Sequence, residues 1–318
     1  MKKRTIIAII VAASLIITGG IILVLGLSIA GDDTREYMLS AQEISIPEHF
    51  DSILIDAEDC NVVFVPFNGT ADPYIVLQEK TKTQHSVQVM DGVLKIQMQD
   101  KRNFTDYIGV FGTSWESMEI TLYLPQKQYE AMNITTDTGD IQIPTGISAK
   151  QTQLCSDTGD IRCDGMYGDL LMCTTDTGDI YIRQCEPVAL NLQSKTGAMD
   201  LRNVESTEIH LTTTTGDKTL ENVVCKRLIC ESGTGDVALE LVMAEENLQI
   251  ITTTGDVEIE SSDAGKVNIE TNKGDVEGHF LTAKWFQAYS DTGNVRVPHT
   301  RDGGECRIES NTGDIHFE

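Results

Sequence analysis

Basic residues are scarce in this chain. Its 318 residues carry 24 lysines and arginines against 49 aspartates and glutamates, a formal charge of −25, and the only basic run is Lys2-Lys3-Arg4. A nucleic-acid partner is therefore not expected, whereas solubility and attraction to cations or basic surfaces are. Catalytic signatures are lacking as well. No HExxH, GxSxG or P-loop string occurs, and His49, His85, His210, His279, His299 and His316 share no motif. The eight cysteines form no CxxC pair, which leaves metal binding by thiols without a supporting spacing. There is also no helical 3.6-residue period of the kind that TPR or HEAT repeats of 34 or more residues require.

Only one long apolar run is present. Residues 5–30 hold no charge and are dominated by Ile, Leu, Val and Ala, and about 20 such residues span a bilayer. They are read as a transmembrane helix of the signal-anchor kind. Basic residues precede it and Gly31-Asp32-Asp33 follow it, so residues 1–4 are assigned to the cytoplasm and everything after Ala30 to the outside of the cell. A cleaved signal peptide, with Ser28-Ile29-Ala30 at the cleavage point, is the rival reading. Residues 31–40 are then a linker.

From residue 129 the chain repeats. Ten strings resembling TDTGDI centre on Gly139, Gly159, Gly178, Gly197, Gly216, Gly235, Gly255, Gly274, Gly293 and Gly313, spaced by 19 or 20 residues. Five residues before each glycine stands an apolar side chain, from Ile134 through Leu154 and Cys173 to Ile308, and seven before it a second column runs from Met132 to Cys306. Two and four residues after the glycine the columns from Ile141 to Ile315 and from Ile143 to Phe317 resume the alternation, broken chiefly at Lys218 and Gly278. Period-two alternation on both sides marks short strands that face a core. The change of parity requires a bend, which glycine permits.

The expected fold is all-β: a single-stranded β-solenoid, parallel β-helix-like, with 19–20-residue coils of two or three strands stacked over residues 129–318. Residues 41–128 are expected to form an irregular β cap. Within it Val87–Ile96 is a hairpin around Asp91-Gly92, and Ile53, Ile55, Val62 and Phe64 fit the repeat columns if Cys60 takes the glycine place. The chain stops inside the tenth coil, so that coil is expected to be an uncapped edge open to self-association, with Arg307 and Glu309 opposing it.

The most chemical-looking position is the aspartate after the glycine. Asp140, Asp160 and Asp179, with Asp137, Asp157 and Asp176 in the same coils, form rows of like charge repelling by roughly 1 kcal/mol per neighbouring pair in water. In one reading each caps its own turn through backbone N–H groups, which Asn294 could also do. In the other, the six are a Ca²⁺ ladder. The Ser or Thr three residues before every glycine continues the inward register, which assigns it to buried hydroxyl ladders rather than to an exposed ice-binding array. Acids repeating in every coil point to scaffolding. An active site is a local departure, so a polysaccharide-cleaving enzyme is the lesser alternative.

Two departures stand out. Phe104, Tyr107, Phe111 and Trp115 form an aromatic stretch that either covers the solenoid end or contacts a partner. Lys218 is read as a strand-edge lysine that snorkels. Cys163, Cys173, Cys230 and Cys306 fall in core columns, while Cys60, Cys155, Cys185 and Cys225 are left without an assigned role.

The TGD-turn repeats and the preceding strand Ile120–Pro125 resemble the bacterial putative-adhesin β-strand-repeat family, a domain of unknown function that includes LiaG-like envelope proteins. The resemblance implies a cell-envelope location and a part in surface contact or envelope stress, and it supplies no catalytic residues. The function expected is that of a non-enzymatic, membrane-anchored extracytoplasmic scaffold or adhesin. Its partner would be an envelope protein or a surface glycan; a calcium-stabilised surface module is the alternative.

Overall fold

The structure is a computed structural model that describes residues 39–80, 83–100 and 117–318. The proposed membrane helix lies outside the described residues. Within them there is no helix, and 23 strands join one continuous sheet.

Coil geometry follows from the columns. In the coil entered at Gly197, Met199, Leu201, Val204, Ser206, Ile209, Leu211 and Thr213 point inward and are buried. Each pairs in parallel with its equivalent in the next coil: Leu201 with Leu220, Val204 with Val223, Leu211 with Cys230. Three strand segments thus make up a coil. The first bend is the glycine, and the second is a residue in the left-handed region at Gln184, Asn203, Asn222, Leu241 or Ser261, with φ between 48° and 56°. The apolar columns merge into one core that runs the length of the rod. Stacking the buried columns gives the strands of the inner coils two neighbours each and a dry interior, the condition under which a repeat becomes stable.

At the N-terminal end, β1 (Ser40–Ser45), β2 (Ser52–Asp56), β3 (Cys60–Phe67), β4 (Tyr74–Glu79), β5 (Thr83–Met90), β6 (Val93–Asp100) and β7 (Met118–Pro125) precede the repeat. Strands β2 and β3 make a coil before the first repeat, with Ile53 beside Met132, Ile55 beside Ile134 and Val62 beside Ile141. Cys60 does occupy the glycine place. On the far side, β6 and β7 add one more parallel layer, Ile55 on Ile96 and Val62 on Ile120. Pairing then turns antiparallel. Strand β5 folds back on β6 through Asp91-Gly92, both with positive φ, β4 lies against β7, and β1 against β4. These strands cover that end of the rod.

The other end departs from the sequence order. The strand Gly304–Thr312 of the tenth coil pairs with Val257–Lys273 on one side and with Lys284–Ser290 on the other. Ile315–Phe317 likewise lies between Val276–Phe280 and Val295–Arg296. The tenth coil is therefore inserted between the eighth and the ninth, and the expectation that it forms the open edge is corrected. The physical reason is that coils share the same columns, so the last coil fits as well between two neighbours as beyond them, and there it gains a second ladder. The outermost described coil is the ninth.

Candidate functional site

The TGD corner builds itself from three residues. At Gly197 φ is 152°, and a Cβ there would stand 1.9 Å from the carbonyl oxygen of Gly178 in the coil before; Gly159, Gly178 and Gly216 are held the same way. Only glycine allows that approach. The backbone ladder continues on either side, from Gly139 N–H to the Thr158 carbonyl and from Ile141 N–H to the Asp160 carbonyl, both 2.9 Å. The amide between them points the opposite way, and a carboxylate receives it. Asp160 N–H donates to Asp140 Oδ1 at 2.8 Å, Asp179 N–H to Asp160 Oδ1 at 2.8 Å, and Ala198 N–H to Asp179 Oδ1 at 2.8 Å. The row resumes from Asp217 through Asp236, Asp256, Asp275 and Asp314 to Asn294. Asn61 starts it by accepting from Asp140 N–H at 2.9 Å.

Inside the corner, hydroxyls reach the glycine carbonyl of the neighbouring coil. Ser156 Oγ donates to Gly139 at 3.0 Å, Thr175 Oγ1 to Gly159 at 3.2 Å and Ser310 Oγ to Gly274 at 3.3 Å. Thr213, Ser232, Thr252 and Thr271 hold the same buried place without a partner. The motif is a fastener between coils. Each aspartate serves the next coil's amide rather than its own turn, which corrects the turn-capping reading; the cause is the reversed direction of that one amide at the bend.

The second acidic row ends in a cation. Asp137, Asp157 and Asp176 are followed at the same position by Lys195, whose ammonium pairs with Asp176. Loss of water, and then repulsion from Asp157, Asp59 and Asp56, raise the Asp137 carboxyl above its ordinary range. Arg162 lies over Asp160 at 2.7 Å and Asp140 at 3.7 Å, and the Tyr181 hydroxyl donates to Asp179 Oδ2 at 3.0 Å. The six aspartates named as calcium ligands are thus strung along the rod. Among the described residues no group of three or more His, Cys, Asp or Glu side chains converges to hold a metal ion.

One constellation resembles a nucleophilic triad in outline. His85 Nδ1 lies 2.7 Å from Glu79 Oε1, and His85 Nε2 lies 4.0 Å from Cys60 Sγ and 3.4 Å from the Ala57 carbonyl. The Glu79 carboxylate and the Ala57 carbonyl hold the ring in place, and the thiol stands 4.0 Å from Nε2, beyond a short proton-transfer contact. Burial, then the Glu79 charge, push that thiol up to about 12. This group is a buried brace between β3, β4 and β5.

Along one flank a groove of about 760 Å³ runs across the coils. Its floor is a column of small side chains, Pro187, Ser206, Cys225, Ala244 and Ala264, and its walls carry Val188, Val224 and Met243, which are 55%, 47% and 39% exposed. Glu186, Glu205 and Glu245 line it as well. The five coil levels from Glu186 to Gly265 extend it over roughly 19 Å at about 4.8 Å per coil. Lys284 closes the far end. Its buried ammonium pairs with Asp263 and donates to the Ala264 carbonyl at 2.8 Å and Thr282 Oγ1 at 3.0 Å. Burial raises the Asp263 carboxyl, but hydrogen bonds from Lys284 and Thr282, with the Lys284 charge, outweigh it and set it below its usual value.

The Toastrack DUF4097 family model matches residues 50–223 and 216–318. The chain belongs to the Toastrack DUF4097 family. Solved structures similar to it include a putative adhesin from Parabacteroides distasonis, 11% identical with a TM-score of 0.43, covering 77% of this chain and 98% of that one. Another is a putative adhesin from Parabacteroides merdae, 11% identical with a TM-score of 0.42 over 88% and 97% of the two chains. A third, a putative lipid binding protein from Parabacteroides distasonis, is 14% identical with a TM-score of 0.38 over 76% and 94%. No curated protein matches the chain.

In this Toastrack chain the groove is the candidate feature that sequence reasoning missed. Aligning Glu205, Val224, Met243 and Asp263, which stack in register, would have exposed its wall. Phe104, Tyr107, Phe111 and Trp115 lie outside the described residues. Lys218 does not snorkel: it is fully buried between Met199 and Val237, its Nζ has no hydrogen-bond partner, and burial lowers its pKa to about 8. The coil closes around that column, so no strand edge is within reach. Cys163, Cys173, Cys230 and Cys306 are buried core thiols as expected, Cys60, Cys185 and Cys225 are also buried, and all eight cysteines are free.

Proposed function

We propose that the protein is a non-enzymatic, adhesin-like surface module, held in the membrane by residues 5–30 with its solenoid outside the cell, and that the flank groove receives an extended segment of an envelope protein. The groove carries this reading. Its straight course over five coils suits an extended chain, its exposed Val188, Val224 and Met243 offer apolar contact, and Glu186, Glu205 and Glu245 favour basic side chains in the occupant. Its one thiol, Cys225, is pushed up to about 12 by burial and offers no nucleophile. A surface glycan is the second reading, since an elongated groove also suits a linear polymer.

A photo-crosslinking residue at Met243 in the full-length chain tests it in cells. An adduct with an envelope protein is expected, absent from a probe at Glu258 and lost when Val224→Glu is added. Equal labelling from both positions would remove the groove as the binding site. Retention on purified surface glycan without a protein adduct would favour the second reading, and glycan turnover would point to an enzyme.

A further inference from the structure

The outermost coil is built differently from the one beneath it. In the tenth coil the outward positions carry Glu305, Arg307 and Glu309; Lys266 reaches Glu305 at 3.0 Å, and Arg307 bonds Glu309 at 2.6 Å. In register with these, the ninth coil carries Trp285, Gln287 and Tyr289. These three outward positions lose their charge at the coil whose far side, among the described residues, pairs with no strand. Apolar side chains gather there instead: Leu281, Trp285, Tyr289 and Val295 are 55%, 46%, 61% and 42% exposed. Natural sheets protect open edges with charge. Here the one inward charge of the edge strand, Lys284, is already neutralised by Asp263. Residues 281–303 hold three cations, Lys284, Arg296 and Arg301, against Asp291 and Asp302, in a chain of net charge −25. This is the end at which two copies repel least.

We propose that two copies of the chain join end to end through the ninth coil, with Lys284–Ser290 pairing antiparallel to itself about Gln287. The strand is self-complementary in that register. Trp285 falls opposite Tyr289 of the partner subunit on the outer face, an aromatic cross-strand pair, and Phe286 falls opposite Ala288 of the partner subunit on the core face, large against small. The half-buried Phe286, packed with Phe280 and Phe317 at the end of the core, is thereby covered. Association stops at two. A two-fold contact uses the same edge on both subunits, and the opposite end of each rod is covered by the antiparallel strands β1, β4 and β5, so no filament grows.

The test uses the full-length chain carrying Gln287→Cys. Mild oxidation is expected to give a reducible dimer, while Gln193→Cys, exposed on the flank of an inner coil, stays monomeric. Adding Trp285→Glu and Tyr289→Glu sets like charges opposite one another and is expected to lower the cross-linked fraction at least about tenfold. Those two side chains are exposed, so retained circular dichroism separates loss of pairing from loss of fold. A Gln287→Cys chain that remains monomeric, a Gln193→Cys chain that cross-links equally, or a double-glutamate variant that cross-links unchanged would each overturn the proposal.

Discussion

The glycine of the TGD corner carries two constraints at once, a positive φ and a carbonyl oxygen where a Cβ would stand. Gly197→Ala sets a methyl 1.9 Å from Gly178 O, so a loss of about 3 kcal/mol or more is expected, read from the denaturant midpoint. Beside it, Ala198 interrupts the carboxylate row. Ala198→Asn would supply the missing acceptor for the Asp217 amide without a further charge, and should raise stability by about 1 kcal/mol. Lys218 offers a test with a pH signature. Its folded pKa of about 8 lies below the ordinary 10.5, so the unfolded chain binds more protons between those values. The penalty is then complete below pH 8 and fades as pH rises to 10.5, a gain of roughly 3 kcal/mol. Lys218→Met should be more stable at pH 7, and its advantage should vanish over that window. A constant advantage would contradict the assignment. The difference between the two proteins isolates Lys218 from the buried thiols, which are common to both.

At the scale of elements, what the sequence made legible was whatever repeats by residue type. The four columns, the TGD bend and the hairpin at Asp91-Gly92 were readable because alternation and glycine each have one physical meaning. The second bend of each coil was not, because Gly165, Gln184, Asn203, Asn222, Leu241 and Ser261 all hold it with positive φ, and only Gly165, Asn203 and Asn222 are of the types that favour that region. Leu241 carries that conformation with a branched side chain 47% exposed. Leu241→Gly should relieve about 1 kcal/mol, visible as a higher melting midpoint. Coil order was hidden for the opposite reason: identical columns cannot say which coil lies beside which. A trace exists at Gly303-Gly304, where added Cβ atoms would strike Ala283 O at 1.7 Å and Gly265 O at 2.4 Å, the squeeze expected of a coil inserted between two others. Deleting residues 304–318 should therefore speed amide exchange across Lys284–Arg296, whereas a coil lost from the end of the rod would leave it unchanged. The groove escaped notice because it depends on small side chains in register, a signal visible only once the third segment of each coil is aligned.

For the whole molecule, the question is how a rod of net charge −25 tolerates its stacked acids. Most of the corner carboxylates accept a backbone N–H from the neighbouring coil, and cations set along the stack answer others: Arg162 over Asp140 and Asp160, Arg202 between Asp200 and Glu221, Arg227 between Glu208 and Glu246. The repeated acids then serve the stacking of the coils, and the flank groove and the open end are where we propose binding. Thermal unfolding of the full chain in millimolar calcium and in excess chelator tests that claim most directly. The midpoint is expected to agree between the two conditions. A saturable rise of several degrees with calcium would show that the corner carboxylates are ligands after all.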